Sequence, residues 1–230
     1  MSNERMRLHW SPRSPFVRKV LIAAYEAGLN ERIELVRTVV SSTTPNLAFL
    51  QENPLGKLPT LTLPDGLAIF DSTVIVEYFA TLAPTSGLFP TDPTERLVTL
   101  RYESLGDGLL DLLLLWREER GRERETQSQP LLAASAVKFQ HVIAFLDSVV
   151  TDLEARPFDI GHITVGCALS YIGFRFPDLA WQAEYPRLAR WLADFSERPS
   201  VLAVPAIDDL AVPMEPADYM SIGTTQMRKS

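Results

Sequence analysis

Two short stretches of this chain place reactive groups beside turns and helix starts. Leu58-Pro59 stands directly before a β-prone run, Thr60–Leu63, and Asp71-Ser72 opens a run with helical spacing. Between them Pro64-Asp65-Gly66 has the residues of a hairpin turn, because Pro fixes φ and Gly accepts a positive φ. A helix N-terminus attracts anions, so Asp71-Ser72 is a candidate binding site. The alternative is that Asp71 or Ser72 is only an N-cap.

A third candidate stretch is Ser11-Pro-Arg-Ser-Pro15, which follows the β-prone run Arg7–Trp10. Pro15 is predicted to open a helix that ends at Gly28, and Ser14 before it is a standard N-cap arrangement. Cys167 is the only cysteine, and its apolar neighbours indicate a core residue rather than a nucleophile.

The order of predicted elements up to residue 83 is β-α-β-α-β-β-α, which is the pattern of a thioredoxin-like domain. Its further elements are a strand Ile33–Val39, a short helix Leu47–Glu52, and strands Thr60–Leu63 and Leu67–Phe70. We therefore expect a thioredoxin-like domain over residues 6–83 and a Pro/Gly-rich linker over 84–93.

After the linker the sequence predicts helices only, over residues 94–212. The predicted helices are Thr94–Arg124, Leu131–Leu153, one that starts at Asp159 and runs to Tyr171, Tyr185–Arg198 and Ser200–Asp209. Asp159 is predicted as the N-cap of the third, whose small residues indicate a central helix. The tail, 213–230, is polar and is expected to be poorly ordered.

Taken together, the motifs Ser11-Pro-Arg-Ser-Pro-Phe-Val-Arg-Lys19, Asn53-Pro-Leu-Gly-Lys-Leu-Pro59 and Phe70-Asp-Ser72 resemble those of bacterial glutathione transferases. The helical half agrees, notably Gly166–Phe176 and Arg198–Leu202. The similarity covers the chain from about Met6 to about Leu210. It implies a thioredoxin-like glutathione-binding domain followed by an all-α domain.

The resemblance also implies residue roles. Leu58 pairs through its backbone with the cysteinyl part of glutathione, and Pro59 is cis, a geometry that turns a backbone N–H and C=O outward. Asp71 and Ser72 hold the γ-glutamyl end, where the carboxylate of Asp71 suits the ammonium group. Lys57 pairs with the glycyl carboxylate or is simply solvated. Phe16 is the remaining candidate substrate-binding residue.

In this family the residue that activates the thiol stands at the N-terminus of the first helix. Because Tyr and Cys are missing there, the resemblance implies a serine, either Ser14 by alignment or Ser11 as the alternative. A serine hydroxyl stabilises the thiolate and favours conjugation, whereas a cysteine would form mixed disulfides. Many relatives have an aspartate where His162 stands, so Asp159 is the candidate cap instead.

The composition excludes several classes of function. A formal charge of −7 disfavours nucleic-acid or anionic-membrane partners. No metal-ligand spacing is visible, and the polar residues 1–7 lead us to expect no signal peptide. We therefore expect a cytoplasmic homodimer that uses glutathione as co-substrate, with no metal, to conjugate a small hydrophobic electrophile in detoxification. The alternatives are a non-catalytic binding or regulatory protein of this fold, or a glutathione-dependent isomerase or dehalogenase.

Overall fold

A computed structural model describes residues 5–209 and 214–227 of the chain, which divides into two compact units. The sheet unit comprises Met1–Pro90 together with Arg198–Ser230, and the helical unit comprises Thr91–Glu197. The division therefore falls inside the predicted linker, while the segment from Arg198 belongs to the sheet unit rather than to the predicted helical domain. The end of that predicted domain at 212, and positions 213 and 228–230 of the predicted tail, lie outside the described residues.

The sheet unit contains a mixed four-stranded sheet with the strand order β2-β1-β3-β4. Its strand β1 is parallel to β2 and antiparallel to β3, and β3 is antiparallel to β4. The elements are β1 Met6–Trp10, α1 Pro15–Glu26, β2 Ile33–Arg37, β3 Thr60–Thr62, β4 Ala68–Ile69 and α2 Ser72–Leu82. This confirms the predicted thioredoxin-like pattern, except that the expected helix Leu47–Glu52 is a single 3₁₀ turn, Phe49–Gln51.

Local sequence explains how these elements begin and end. Ser14 is the N-cap of α1 and Pro15 stands in its first turn. Gly28 follows the helix with a φ of 66°, a conformation that favours glycine. In the hairpin between β3 and β4, Gly66 has a φ of 92°, and the Leu63 N–H donates to the Leu67 carbonyl at 2.8 Å. Pro64-Asp65-Gly66 therefore forms the predicted hairpin turn between β3 and β4.

The C-terminal part of the sheet unit differs from the sequence prediction. The expected helix Ser200–Asp209 is only one turn, α7 Pro199–Leu202, because Pro205 has no N–H with which to continue a helix. Within the predicted tail, residues 216–227 form a helix, α8 Pro216–Met227. Tyr219 of α8 is buried, packs edge-on against the Trp10 ring and donates its O–H to the Pro205 carbonyl at 2.9 Å.

The helical unit confirms the expected all-α architecture. Its helices are α3 Pro93–Arg120, α4 Gln129–Ala155, α5 Ile160–Arg175 and α6 Pro186–Ser196. Helix α5 is central, because all but one of its residues from Ile160 to Ile172 are buried. A Cβ at Gly161 would lie 2.9 Å from the Tyr102 side chain, and one at Gly166 would clash with the Phe195 ring. Only glycine permits these close approaches.

The first turn of α5 is held by a capping box. The Asp159 side chain accepts from the His162 N–H at 3.2 Å and also from the Thr99 hydroxyl, and His162 Nδ1 lies 2.7 Å from Asp159 Oδ1. The other ring nitrogen, Nε2, donates to the Leu153 carbonyl at 2.8 Å. The predicted N-cap role of Asp159 is confirmed, and His162 completes the cap.

Helix α4 is long and apolar enough to cross a bilayer, by length and composition only. Its residues Phe139, Ile143 and Leu146 are buried in the helical unit. A core helix of a soluble protein passes the same test, so this helix is weak evidence for a membrane span.

Candidate functional site

The register of the sheet brings the three candidate stretches together along one edge, which is formed by the C-terminal ends of β1 and β4 and the N-terminal end of β3. In the antiparallel pair of β1 and β3, His9 lies opposite Thr60, so Ser11 after β1 and Leu58-Pro59 before β3 emerge together. In the pair of β3 and β4, Leu61 lies opposite Ile69, so Asp71 after β4 emerges at the same edge. Neighbouring strands are about 4.8 Å apart, so the edge from β1 to β4 spans about 10 Å. An extended tripeptide has about this length.

The loop before β3 is held by the side chain of Asn53, which is buried. Its side-chain amide donates to the Lys57 carbonyl at 3.0 Å and to the Thr60 hydroxyl at 2.8 Å, while its carbonyl oxygen accepts from the Leu55 N–H. The Leu58–Pro59 peptide bond is cis, as the resemblance implied. Pro59 is buried, Leu58 is half-buried and Lys57 is exposed. Asn53 thus determines where the Leu58 backbone lies.

Ser14 stands at the N-terminus of α1. Its Oγ accepts from the Val17 N–H at 3.3 Å, and the residue is half-buried. A hydroxyl that accepts such a bond through a lone pair keeps its own O–H for donation. The N-cap role and the donor role are therefore compatible. Ser11 is 7% exposed, and its Oγ accepts from the Arg13 N–H at 3.4 Å. Phe16 is half-buried in the first turn of α1.

Asp71 and Ser72 form the start of α2. Asp71 is exposed, and its Oδ1 accepts from the Thr73 N–H at 3.1 Å as the N-cap. Ser72, the first residue of the helix, is only 2% exposed. The Phe70–Asp71 peptide bond is also cis. The arrangement places a solvent-facing carboxylate beside the N-terminus of a helix, a combination that suits an ammonium and a carboxylate on one ligand.

A polar cluster that was not predicted is centred on His9 of β1, which is buried behind this edge. His9 Nδ1 is 2.8 Å from the Thr38 hydroxyl and Nε2 is 3.0 Å from the Glu52 carboxylate, which also accepts from Thr62. Burial raises the pKa of Glu52, but the hydrogen bonds from His9 and Thr62 and the charges of His9 and Arg7 outweigh it, so the pKa lies below its ordinary value. The cluster thus links Glu52, the residue before Asn53, to His9 of β1.

Asn53 and Glu52 escaped the sequence reasoning because their partners are set by the fold. Asn53 was visible only as the first residue of a motif. Within residues 5–209 and 214–227, no group of three or more His, Cys, Asp or Glu side chains is placed to hold a metal ion.

A known family model matches the part of the chain that contains most of the candidate site residues. Residues 13–82 fit the family model described as the N-terminal domain of glutathione S-transferase. The uncharacterised GST-like protein YibF of Escherichia coli K12 is 30% identical over 197 residues, which are 85% of this chain and 96% of that protein. The chain belongs to the glutathione S-transferase family.

A solved structure of a glutathione transferase family member from Pseudomonas fluorescens Pf-5, with bound glutathione, is 36% identical. The match covers 88% of this transferase-family chain and all of the other, with a TM-score of 0.84. The same bacterial protein has also been solved with bound S-(propanoic acid)-glutathione. Elongation factor 1-gamma of Carassius auratus is 24% identical over 92% of this chain but only 48% of its own length. The family therefore reaches beyond proteins named as transferases.

Proposed function

We propose that this protein binds glutathione along the edge formed by the ends of β1, β3 and β4. The observation that supports this most is the convergence of three stretches, far apart in sequence, at one end of the sheet beside the cis Leu58–Pro59 bond. In this proposal the Leu58 backbone pairs with the cysteinyl residue, and Asp71 with the α2 N-terminus holds the γ-glutamyl ammonium and carboxylate. Lys57, which is exposed, reaches the glycyl carboxylate.

The reaction that we propose is attack of the glutathione thiolate on a small hydrophobic electrophile. A free thiol has a pKa of about 8.5, so little thiolate exists at neutral pH. Lowering that pKa by about 2 units requires the site to favour the anion by about 2.7 kcal/mol. The Ser14 O–H and the positive end of α1 supply stabilisation of this size. The thiol proton leaves to solvent, sulfur forms a bond to the electrophilic carbon, and the leaving group departs with its electron pair.

Removing the hydroxyl tests this role. We expect Ser14→Ala to raise the pKa of the bound thiol by one to two units while the affinity for glutathione stays nearly unchanged, because Leu58, Asp71 and Ser72 supply the binding contacts. Turnover of a generic aryl halide at neutral pH then falls about ten- to a hundredfold and recovers partly at higher pH.

The thiolate absorbance of the bound ligand against pH is the measurement, with Ser11→Ala as the matched control. If only Ser11→Ala moves the titration, Ser11 is the donor. If neither does, the serine mechanism is wrong. Ser14→Ala is also expected to destabilise the fold by about 1 kcal/mol through loss of the cap.

A second candidate function is non-catalytic binding, which the similarity to elongation factor 1-gamma favours. Retention on a glutathione column together with turnover of an aryl halide supports the transferase. Retention without turnover of any electrophile tested supports a binding protein.

We also propose that the protein is a cytoplasmic homodimer. The support for the dimer is the exposure of individual apolar side chains on α3 and α4 of the helical unit, where Leu97 is 68%, Val137 53% and Phe145 40% exposed. Sedimentation that shows only monomer at micromolar concentration would contradict it.

A further inference from the structure

The C-terminal segment of the sheet unit, residues 198–209, is joined to α1 at both ends of that helix. Near the C-terminus of α1, Glu26 accepts from Arg198 at 3.1 Å and from the Ser200 hydroxyl. Near its N-terminus, Arg18 Nε donates to the Val204 carbonyl at 2.8 Å, and the Ile207 N–H donates to the Pro12 carbonyl at 3.2 Å. The segment therefore reaches the loop that carries Ser11 and Ser14.

Asp209, at the end of this segment, contacts two arginines of the sheet unit. Its side chain has no exposed surface, and its two oxygens face two guanidinium groups. Oδ2 accepts from Arg37 at 2.6 Å, and Oδ1 lies 2.9 Å from Arg13 Nε in an ion pair without hydrogen-bond alignment. Arg37 also stacks over the Trp10 ring, 5.8 Å from its centre, which fixes the cluster against β1.

The bonds inside the loop are weaker. The Ser14 N–H donates to the Ser11 carbonyl at 3.2 Å, and the Arg13 N–H donates to Ser11 Oγ at 3.4 Å, near the limit for a hydrogen bond. Arg13 stands between the two serines, so its ion pair with Asp209 joins this loop to a carboxylate almost two hundred positions further along the chain.

We propose that Asp209 is a positioning residue for thiol activation. By holding Arg13, it keeps the Ser11–Ser14 loop in the conformation that aims the Ser14 hydroxyl at the sulfur of glutathione. This inference rests on the proposed function. It concerns the activation of the thiol and not the binding of glutathione, whose proposed contacts are with Leu58, Asp71 and Ser72.

The experiment compares two substitutions that loosen the same segment at opposite ends of α1. In Asp209→Asn two half-buried arginines lose their counter-charge and the loop shifts. We expect the pKa of bound thiol to rise by about one unit and kcat at neutral pH to fall about tenfold, with the KM for glutathione unchanged. Asp209→Glu, which keeps the carboxylate, restores most of the activity.

Glu26→Gln is the matched control, because it weakens the docking of the same segment away from the loop. It is expected to lower the melting temperature but to leave the thiol titration as in wild type. Arg13→Gln removes the ion pair with Asp209 by changing the residue in the loop. It should raise the pKa of the bound thiol as Asp209→Asn does, and it replaces Asp209→Asn in the test if that variant does not fold.

Three results overturn the inference. The first is a pKa of the bound thiol equal to that in wild type, measured in Asp209→Asn or, where that variant does not fold, in Arg13→Gln. The second is an equal shift in Glu26→Gln. The third is a fall in the thiol pKa, which would mean that a released arginine, and not the loop, acts on the sulfur. Failure of the proposed function is recognised separately, since the wild-type protein then either does not bind glutathione or leaves its thiol unperturbed.

Discussion

Of the aspartates that cap helices in this protein, Asp159 and Asp71 have opposite surroundings. Asp159, before α5, is 3% exposed and is bonded to Thr99 and to both the backbone and the ring of His162. Asp71, before α2, is exposed and caps its helix through one bond, from the Thr73 N–H. An ionised carboxylate accepts about four hydrogen bonds, so Asp71 keeps acceptor capacity toward solvent. The same residue in the same local position therefore stabilises the fold at one site and is available to a ligand at the other.

The largest effect is expected from Asp159→Ala. The substitution leaves Thr99 and His162 buried without their acceptor, so we expect a loss of about 3 kcal/mol in the free energy of unfolding. Urea unfolding followed by circular dichroism measures it. Glutathione affinity of the folded fraction should not change. A loss below 1 kcal/mol would show that the buried cap is no more than an ordinary one.

Asp71→Ala is expected to act in the opposite way. Glutathione binding should weaken by about 1.5–3 kcal/mol through loss of a charge-assisted contact, while the free energy of unfolding falls by only about 1 kcal/mol. Calorimetric titration measures the affinity, and Asp65→Ala, in the exposed hairpin turn, is the control. An unchanged dissociation constant in the folded variant would place the ligand elsewhere.

The smallest effect is expected at low pH. Burial raises the pKa of Asp159, but the hydrogen bonds from His162 and Thr99 and the charge of His162 outweigh it, so the pKa lies below 3.8. A depressed pKa contributes stability above the unfolded value, and that contribution is lost as pH falls through the folded value.

Measured between pH 5 and pH 2, the difference in unfolding free energy between wild type and Asp159→Asn should therefore shrink as the pH falls. A difference for Asp159→Asn that stays constant down to pH 2 would contradict a depressed pKa.

The features predicted correctly from the sequence are those encoded by neighbouring residues. Pro15 after Ser14, Gly28 after α1, the turn at Pro64-Asp65-Gly66 and the cap at Asp159 all act within a few positions, so local chemistry identifies them. The candidate ligand residues were found because they stand at such points. Their roles in binding and activation remain predictions.

What escaped prediction depends on long-range packing. Asn53 fixes its loop through Thr60 after the chain has turned, and Asp209 meets Arg13 and Arg37 only in the folded unit. Helix α8 has little periodicity of its own, and the burial of Tyr219 comes from Trp10. A local sequence pattern does not identify a contact with a residue that lies almost two hundred positions away.

The return of the chain to its first unit has a consequence for biosynthesis. Trp10 is fully buried, and one of its neighbours is Tyr219, near the end of the sequence. A ribosome therefore releases the whole helical unit before the residues that complete the sheet unit emerge. Until then a nascent chain lacks the Tyr219 ring beside Trp10 and the counter-charge of Arg13 and Arg37. The sheet unit is thus finished last although it is begun first, and a fragment that stops at residue 90 lacks part of its own core.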